Sequence, residues 1–202
     1  MPYTLCLVES GMPDLQSTVL KRQGSFMRSF TQHKCGEEPL AHALQLCEGD
    51  EFVERLSSAE NYHGNPEEVS RSNLRAECRT KAHDSTRFAT YMRINPSLAV
   101  LDVYTTFHAV RDSLRIQLTR LRLSSHRLRV ETGRWSRVPR EARTCPCNGH
   151  SLQNEEHVIL SCEKTEGLRS ANYSTVDSLF SFFNLSTDRL CYLSNEILRM
   201  YD

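Results

Sequence analysis

Cys145-Pro146-Cys147-Asn148-Gly149-His150-Ser151-Leu152-Gln153-Asn154-Glu155-Glu156-His157-Val158-Ile159-Leu160-Ser161-Cys162 is the stretch that organises this chain, because nowhere else do so many metal-binding side chains lie at chelating spacing. Two thiolates from one tight turn, Cys145 and Cys147, can reach a single ion, while His157 and Cys162, five positions apart, can meet it from the end of a short helix. A Cys3His set fills a tetrahedral shell and leaves no open position, so the spacing predicts a structural Zn2+ site and not a hydrolytic one. Pro146, Asn148 and Gly149 mark a turn where reduced core thiols would need a strand. The segment has few large apolar residues, so its folding is expected to be coupled to the ion. His150 is an alternative donor. Glu155 and Glu156 read as groups around the ligands or in solvent, since the thiolates already supply negative charge.

Working outward, Val176, Leu179, Phe180 and Phe183 define one short apolar helix after the cluster, and Leu190, Leu193, Ile197 and Leu198 a second, with Thr187 or Asp188 near its cap. Before the cluster, residues 111–143 hold ten arginines and no lysine against Asp112, Glu131 and Glu141, although the whole chain has zero net charge. Phe107, Val110, Leu114, Leu118 and Leu121 recur at spacings of three and four, which predicts a helix over 103–124 with an apolar stripe. Gly133 and Pro139 then read as breaks, making 131–144 an extended or looped basic connector. Farther upstream, Leu15, Val19, Phe26 and Phe30 predict a helix over 14–31 capped by Asp14, and 39–47 and 51–56 read as two shorter ones. Apolar residues thin out from 57 to 87, where Gly64, Asn65 and Pro66 intervene; this is the expected boundary. The resulting fold class is mainly α: helical segments, then a small Cys3His zinc module, then a two-helix tail. Its divisions are an N-terminal helical segment (1–60), a polar linker and solvated helix (61–100), a basic amphipathic helix and connector (101–143), the zinc module (144–165) and C-terminal helices (166–202).

Eight cysteines, unevenly spread and several on helical apolar faces, suit reduced thiols, and no signal peptide or membrane span is legible. The expectation is an intracellular protein of nucleus or cytoplasm. His33, Cys35, His42 and Cys47 repeat the donor types, but Cys47 shares a face with Leu40, Ala43 and Leu44, so this cluster reads as packing. Catalysis finds no support: there is no Walker loop, nucleophile elbow, His-Glu-x-x-His or polymerase carboxylate pair. Asp84, Asp102 and Asp112 read as surface acids, and Cys191 as a packed thiol.

The arginines offer two readings. Arginine's planar fork suits phosphate, and Trp135 and His126 offer stacking surfaces for unpaired bases, which points to nucleic acid, RNA before duplex DNA. The candidate contacts are Arg120, Arg122, Arg127, Arg129, Arg134, Trp135, Arg137, Arg140 and Arg143. Alternatively the block is a solvated face paired with acids such as those over 48–54, in a helical assembly module whose stripe from Phe107 to Leu121 docks an acidic protein partner or a second copy.

The run 118–128, then Val130-Glu131-Thr132-Gly133-Arg134-Trp135, Val138-Pro139-Arg140-Glu141-Ala142-Arg143-Thr144-Cys145-Pro146-Cys147 and Glu155-Glu156-His157-Val158-Ile159-Leu160-Ser161-Cys162, resembles the region after the reverse transcriptase in LINE-type (non-LTR) retrotransposon polyproteins. The resemblance covers 107–165. It implies that Cys145, Cys147, His157 and Cys162 hold zinc and that the basic connector contacts the element's nucleic acid. The polymerase palm and the endonuclease of such polyproteins have no counterpart here, and the first pair is C-x-C where many relatives have C-x-x-C. The expectation is a non-catalytic remnant or domesticated fragment.

Overall fold

The computed structural model describes residues 3–32, 65–105 and 110–201, without the side chains of 26–32. The helices expected over 39–47 and 51–56, Phe107, and the cluster of His33, Cys35, His42 and Cys47 lie outside the described residues. Among the described residues the chain is helical with no strand, and its one extended pairing is an antiparallel bridge between Thr144 and Leu152. No described helix is long and apolar enough to cross a membrane. Two compact units are present, Met1–Ser10 with Glu77–Asp202, and Gly11–Ala76.

The smaller unit holds α2 (Leu15–Gln32), which comes after α1 (Tyr3–Ser10), and most of α3 (Pro66–Lys81). Asp14 caps α2 as expected: its carboxylate accepts from the Ser17 amide at 2.9 Å and from the Ser17 hydroxyl at 2.8 Å. The stripe fares differently, since Leu15 and Val19 face solvent.

In the larger unit, α4 (Thr86–Ile94), α5 (Asp102–Thr105), α6 (Asp112–Arg122), α7 (Arg129–Trp135), α8 (Glu166–Asn172), α9 (Leu179–Phe183) and α10 (Thr187–Arg199) surround one core. The spacing in α10 places Leu190, Leu193, Ile197 and Leu198 inside, each burial contributing about 1.5–3 kcal/mol. Its N-cap is Ser186, with Thr187 and Asp188 next to it in the first turn as expected, and the Thr187 hydroxyl donates to Asp102 at 2.9 Å. Phe182 meets Tyr173 and Phe183 edge-on at ring separations of 5.1 and 5.2 Å. α9 starts from a reciprocal capping box between Ser178 and Ser181. Cys191 is wholly buried and its thiol is pushed up to about 11 by desolvation, so it packs.

Three expectations are corrected here. The helix over 103–124 is two helices, because Arg111 has extended backbone (ψ 141°) and α6 begins only at Asp112. The described part of the stripe packs within the chain: Leu118 and Leu121 are fully buried in the core cluster beside α10, and Val110 and Leu114 are packed against it partly buried, while Ile116 on the same helix is exposed. The supposed connector over 131–144 begins inside α7, whose last five residues it includes, and contains a 3-10 turn at Arg140–Ala142. Gly133 does not break α7. It makes room for Arg143, whose Cγ would lie 2.7 Å from an added Cβ.

Both α6 and α7 end in left-handed caps that no glycine announces. After α6, Ser124 takes φ 49° and the Ser125 amide returns to the Arg120 carbonyl at 2.8 Å. After α7, Arg137 takes φ 55°, and the Val138 amide returns to the Gly133 carbonyl at 2.8 Å. These are Schellman turns, formed with residues for which the conformation costs on the order of 1–2 kcal/mol.

α1, which carries no helix signal strong enough to read in advance, docks by apolar burial of Leu5, Leu7 and Val8 and by one ion pair. Glu9, 2 % exposed, accepts from Nε and, at 3.2 Å, from Nη2 of Arg122, and from the Tyr91 hydroxyl at 2.6 Å. Burial and the neighbouring carboxylate push the Tyr91 phenol far above its ordinary range, which keeps it a donor. Arg122 also lies over the Phe183 ring at 5.3 Å.

Candidate metal centre

The first two donors sit on a hairpin closed by the Thr144–Leu152 bridge, with the Cys145 amide donating to the Ser151 carbonyl at 2.7 Å and the Gln153 amide to the Arg143 carbonyl at 3.0 Å. At its tip the Asn148 side chain accepts from the amides of His150 (3.3 Å) and Ser151 (3.0 Å), a turn that only a short polar side chain makes. Gly149 comes next with φ 74°. The turn brings the Cys145 and Cys147 sulfurs to one side.

The other two donors come from a π-helical turn, His157–Ser161. Asn154 caps it, accepting from the His157 amide at 2.9 Å, and the Cys162 amide donates to the His157 carbonyl at 2.8 Å. On an α-helix two residues five apart lie about 140° round the axis from each other. The i→i+5 bond removes that offset and sets His157 and Cys162 side by side, a use typical of π turns at functional sites. Val158 and Ile159 on the same turn are fully buried in the helical core, so the cluster is joined to the fold instead of standing as a separate finger.

One ligand atom from each of Cys145, Cys147, His157 and Cys162 lies within 4.8 Å of all the others. The Cys145 and Cys162 sulfurs are 3.7 Å apart, and Cys147 Sγ is 3.2 Å from His157 Nε2. Tetrahedral Zn2+ with Zn–S near 2.3 Å needs a sulfur separation of about 3.8 Å, while a disulfide needs about 2.05 Å, so the donor set fits a shared ion and not a bridge.

The surroundings orient each donor. His157 Nδ1 lies 3.2 Å from the Ser161 hydroxyl, which leaves Nε2 for the ion, and Tyr201 donates its hydroxyl to Cys162 Sγ at 3.0 Å. Gln153 reaches Cys145 Sγ with Nε2 at 3.6 Å while its Oε1 accepts from the Arg129 amide at 2.8 Å, tying α7 to the cluster. Desolvation, aided by the positive charges of Arg169 and His150, holds the His157 imidazole below its ordinary value, which favours the neutral, ligating form. The Cys147 thiol is raised to about 12 by desolvation, by hydrogen bonding to Cys145 and Cys162, and by their like charge. The Cys162 thiol is lowered: although desolvation opposes it, the Tyr201 hydroxyl and the Lys164 amide stabilise the thiolate. Metal binds the thiolate, so loading the site displaces the proton held by Cys147, and binding tightens as pH rises.

His150 stays outside the donor set, exposed, with Nδ1 2.9 Å from the Asn148 carbonyl. Glu156 pairs with Arg93 on the surface. Glu155 is likewise outside the donor set; it is buried, not in solvent, with its carboxylate accepting from the Ser124 hydroxyl and from His126 Nε2 at 2.9 Å, and that bond and the nearby imidazole hold it below the usual carboxylate range despite burial.

The expected nucleic-acid residues divide. Arg120, Arg127, Arg129, Arg137 and Arg140 are exposed, Arg134 is half-buried beside Glu131 at 3.3 Å, and Trp135 is 69 % exposed. Two must be withdrawn from a binding surface. Arg122 is buried against Glu9, and Arg143 folds across Gly133, its guanidinium donating to the carbonyls of Val138 (2.9 and 2.7 Å) and Val130 (2.9 Å). His126 is buried too, so its ring offers no open stacking face.

Sequence reading missed Ser161, Gln153 and Tyr201 as supports of the donors. The first two lie within eight residues of a ligand and were findable as polar groups flanking the motif, whereas Tyr201, 39 residues from Cys162, carries no local signal. Comparison of the chain with protein-family models, with curated proteins and with solved structures finds no match.

Proposed function

We propose that this chain is a zinc-stabilised nucleic-acid-binding protein without catalytic activity of its own, a remnant or domesticated fragment of a LINE-type reverse-transcriptase polyprotein, acting on RNA in nucleus or cytoplasm. The observation that carries the reading is the surface beside the metal centre. Trp135 stands out from α7 at 69 % exposure, and Arg129, Arg134, Arg137 and Arg140 succeed one another along the same short stretch. Exposed aromatic rings flanked by guanidinium groups are the equipment of single-strand recognition, in which bases stack and phosphates pair. Zinc supports this surface indirectly. Cys145 and Gln153 connect the cluster to the first turn of α7, and Arg129 donates to the Thr144 carbonyl at 3.1 Å.

The test is a salt titration of RNA binding. Arg134→Ala, Arg137→Ala and Arg140→Ala together are expected to weaken binding and to reduce the log–log salt slope by about 0.7 for each phosphate no longer neutralised. Unchanged affinity and slope in the triple variant would remove the nucleic-acid reading.

A further inference from the structure

The larger unit contains a cavity of 330 Å3 whose walls come from the end of α6, the residues just after it, the end of α7 and α10. Arg120 and Arg127 line it, as do Trp135, Gln117, His126 and Leu198. Among the described residues, none that lines it is acidic. Both arginines are exposed, and the size lies at the small end of ligand pockets, about 300–1,000 Å3.

His126 sets this cavity apart from an ordinary surface groove. Glu155, buried behind it, accepts from Nε2 at 2.9 Å and so fixes the ring, while Nδ1 is buried with no hydrogen-bond partner among the described residues. A buried polar atom without a partner is rare in folded proteins, and here it belongs to a ring that backs the cavity. The ring is delivered there by Ser124, which holds φ 49° with its hydroxyl bonded to the same carboxylate.

We infer that this cavity binds a single nucleotide unit, its phosphate ester held by Arg120 and Arg127 and its base stacked on Trp135. The guanidinium forks match phosphate oxygens in pairs, the indole supplies a π face, Gln117 can donate to or accept from a base edge, and His126 closes the polar wall. A pocket of this size takes one unit or a strand end, where the rest of the basic surface tracks a backbone. The inference rests on the nucleic-acid reading only for its choice of ligand.

Trp135 is the single tryptophan of the chain, so all indole emission comes from this one ring. The folded full-length protein is titrated with adenosine 5′-monophosphate, with adenosine and with inorganic phosphate, and separately with a single-stranded RNA. Saturable quenching by the monophosphate, displaced by excess inorganic phosphate and weakened about tenfold by Arg120→Ala or by Arg127→Ala at unchanged circular dichroism, supports the pocket. Adenosine quenching as tightly as the monophosphate overturns it. RNA binding with no response of Trp135 to the monophosphate also overturns it and leaves the surface reading standing. Monophosphate binding without RNA binding supports the pocket while removing the proposed function.

Discussion

Cys162→Ser is expected to unfold the larger unit, not merely to loosen a turn. The residue is wholly buried, receives the Tyr201 hydroxyl, and ends a π turn whose Val158 and Ile159 lie in the same core as Leu118, Leu190 and Ile197. Structural zinc contributes about 10–16 kcal/mol in small zinc-dependent folds, and a whole domain is stable by only about 5–15 kcal/mol, so losing the ion exceeds what the remaining packing can hold. A chelator added to the unaltered protein should act the same way. Helical circular dichroism and thermal unfolding are the readouts. The expected result is loss of the cooperative transition; a melting curve within a few degrees of the parent would show that the fold does not need the cluster.

Glu9→Ala should be nearly as damaging, for a different reason. Arg122 is 2 % exposed, and without Glu9 its charge would be left inside the core beside the Phe183 ring and the Tyr91 and Tyr104 phenols, with no carboxylate among the described residues to pair it. Stranding one member of a buried pair costs about 3–5 kcal/mol, whereas replacing both members with apolar side chains of similar volume is often neutral. The urea midpoint of Glu9→Ala should therefore drop sharply, and Glu9→Leu combined with Arg122→Met should recover most of the loss. If the single change moved stability by less than about 1 kcal/mol, the pair would be behaving as a solvated surface contact.

What the sequence made legible was what depends on short-range spacing. The four donors of the cluster fall within 17 residues of each other and meet as their spacing implies, and Leu190, Leu193, Ile197 and Leu198 face inward as a helical period requires. Asp14 caps α2 because a carboxylate before a helix has only local amides to satisfy. Features that depend on distant partners were not legible. Glu9 and Arg122 are 113 residues apart, so ten arginines in one block looked like one surface although Arg122 and Arg143 serve the interior. Gly133 read as a helix breaker because the side chain that needs its space, Arg143, lies ten positions on and folds back. Ser124 and Arg137 gave no cap signal, since neither residue type favours the left-handed conformation that the turns closing on Arg120 and Gly133 require.

The most direct test is the metal content of the purified, reduced protein by native mass spectrometry before and after acidification. One Zn2+ per chain is expected near neutral pH, released with loss of helical dichroism as the thiolates and His157 take up protons. A metal-free protein with the same helical spectrum and the same melting curve would contradict the central claim that an ion held by Cys145, Cys147, His157 and Cys162 completes this fold.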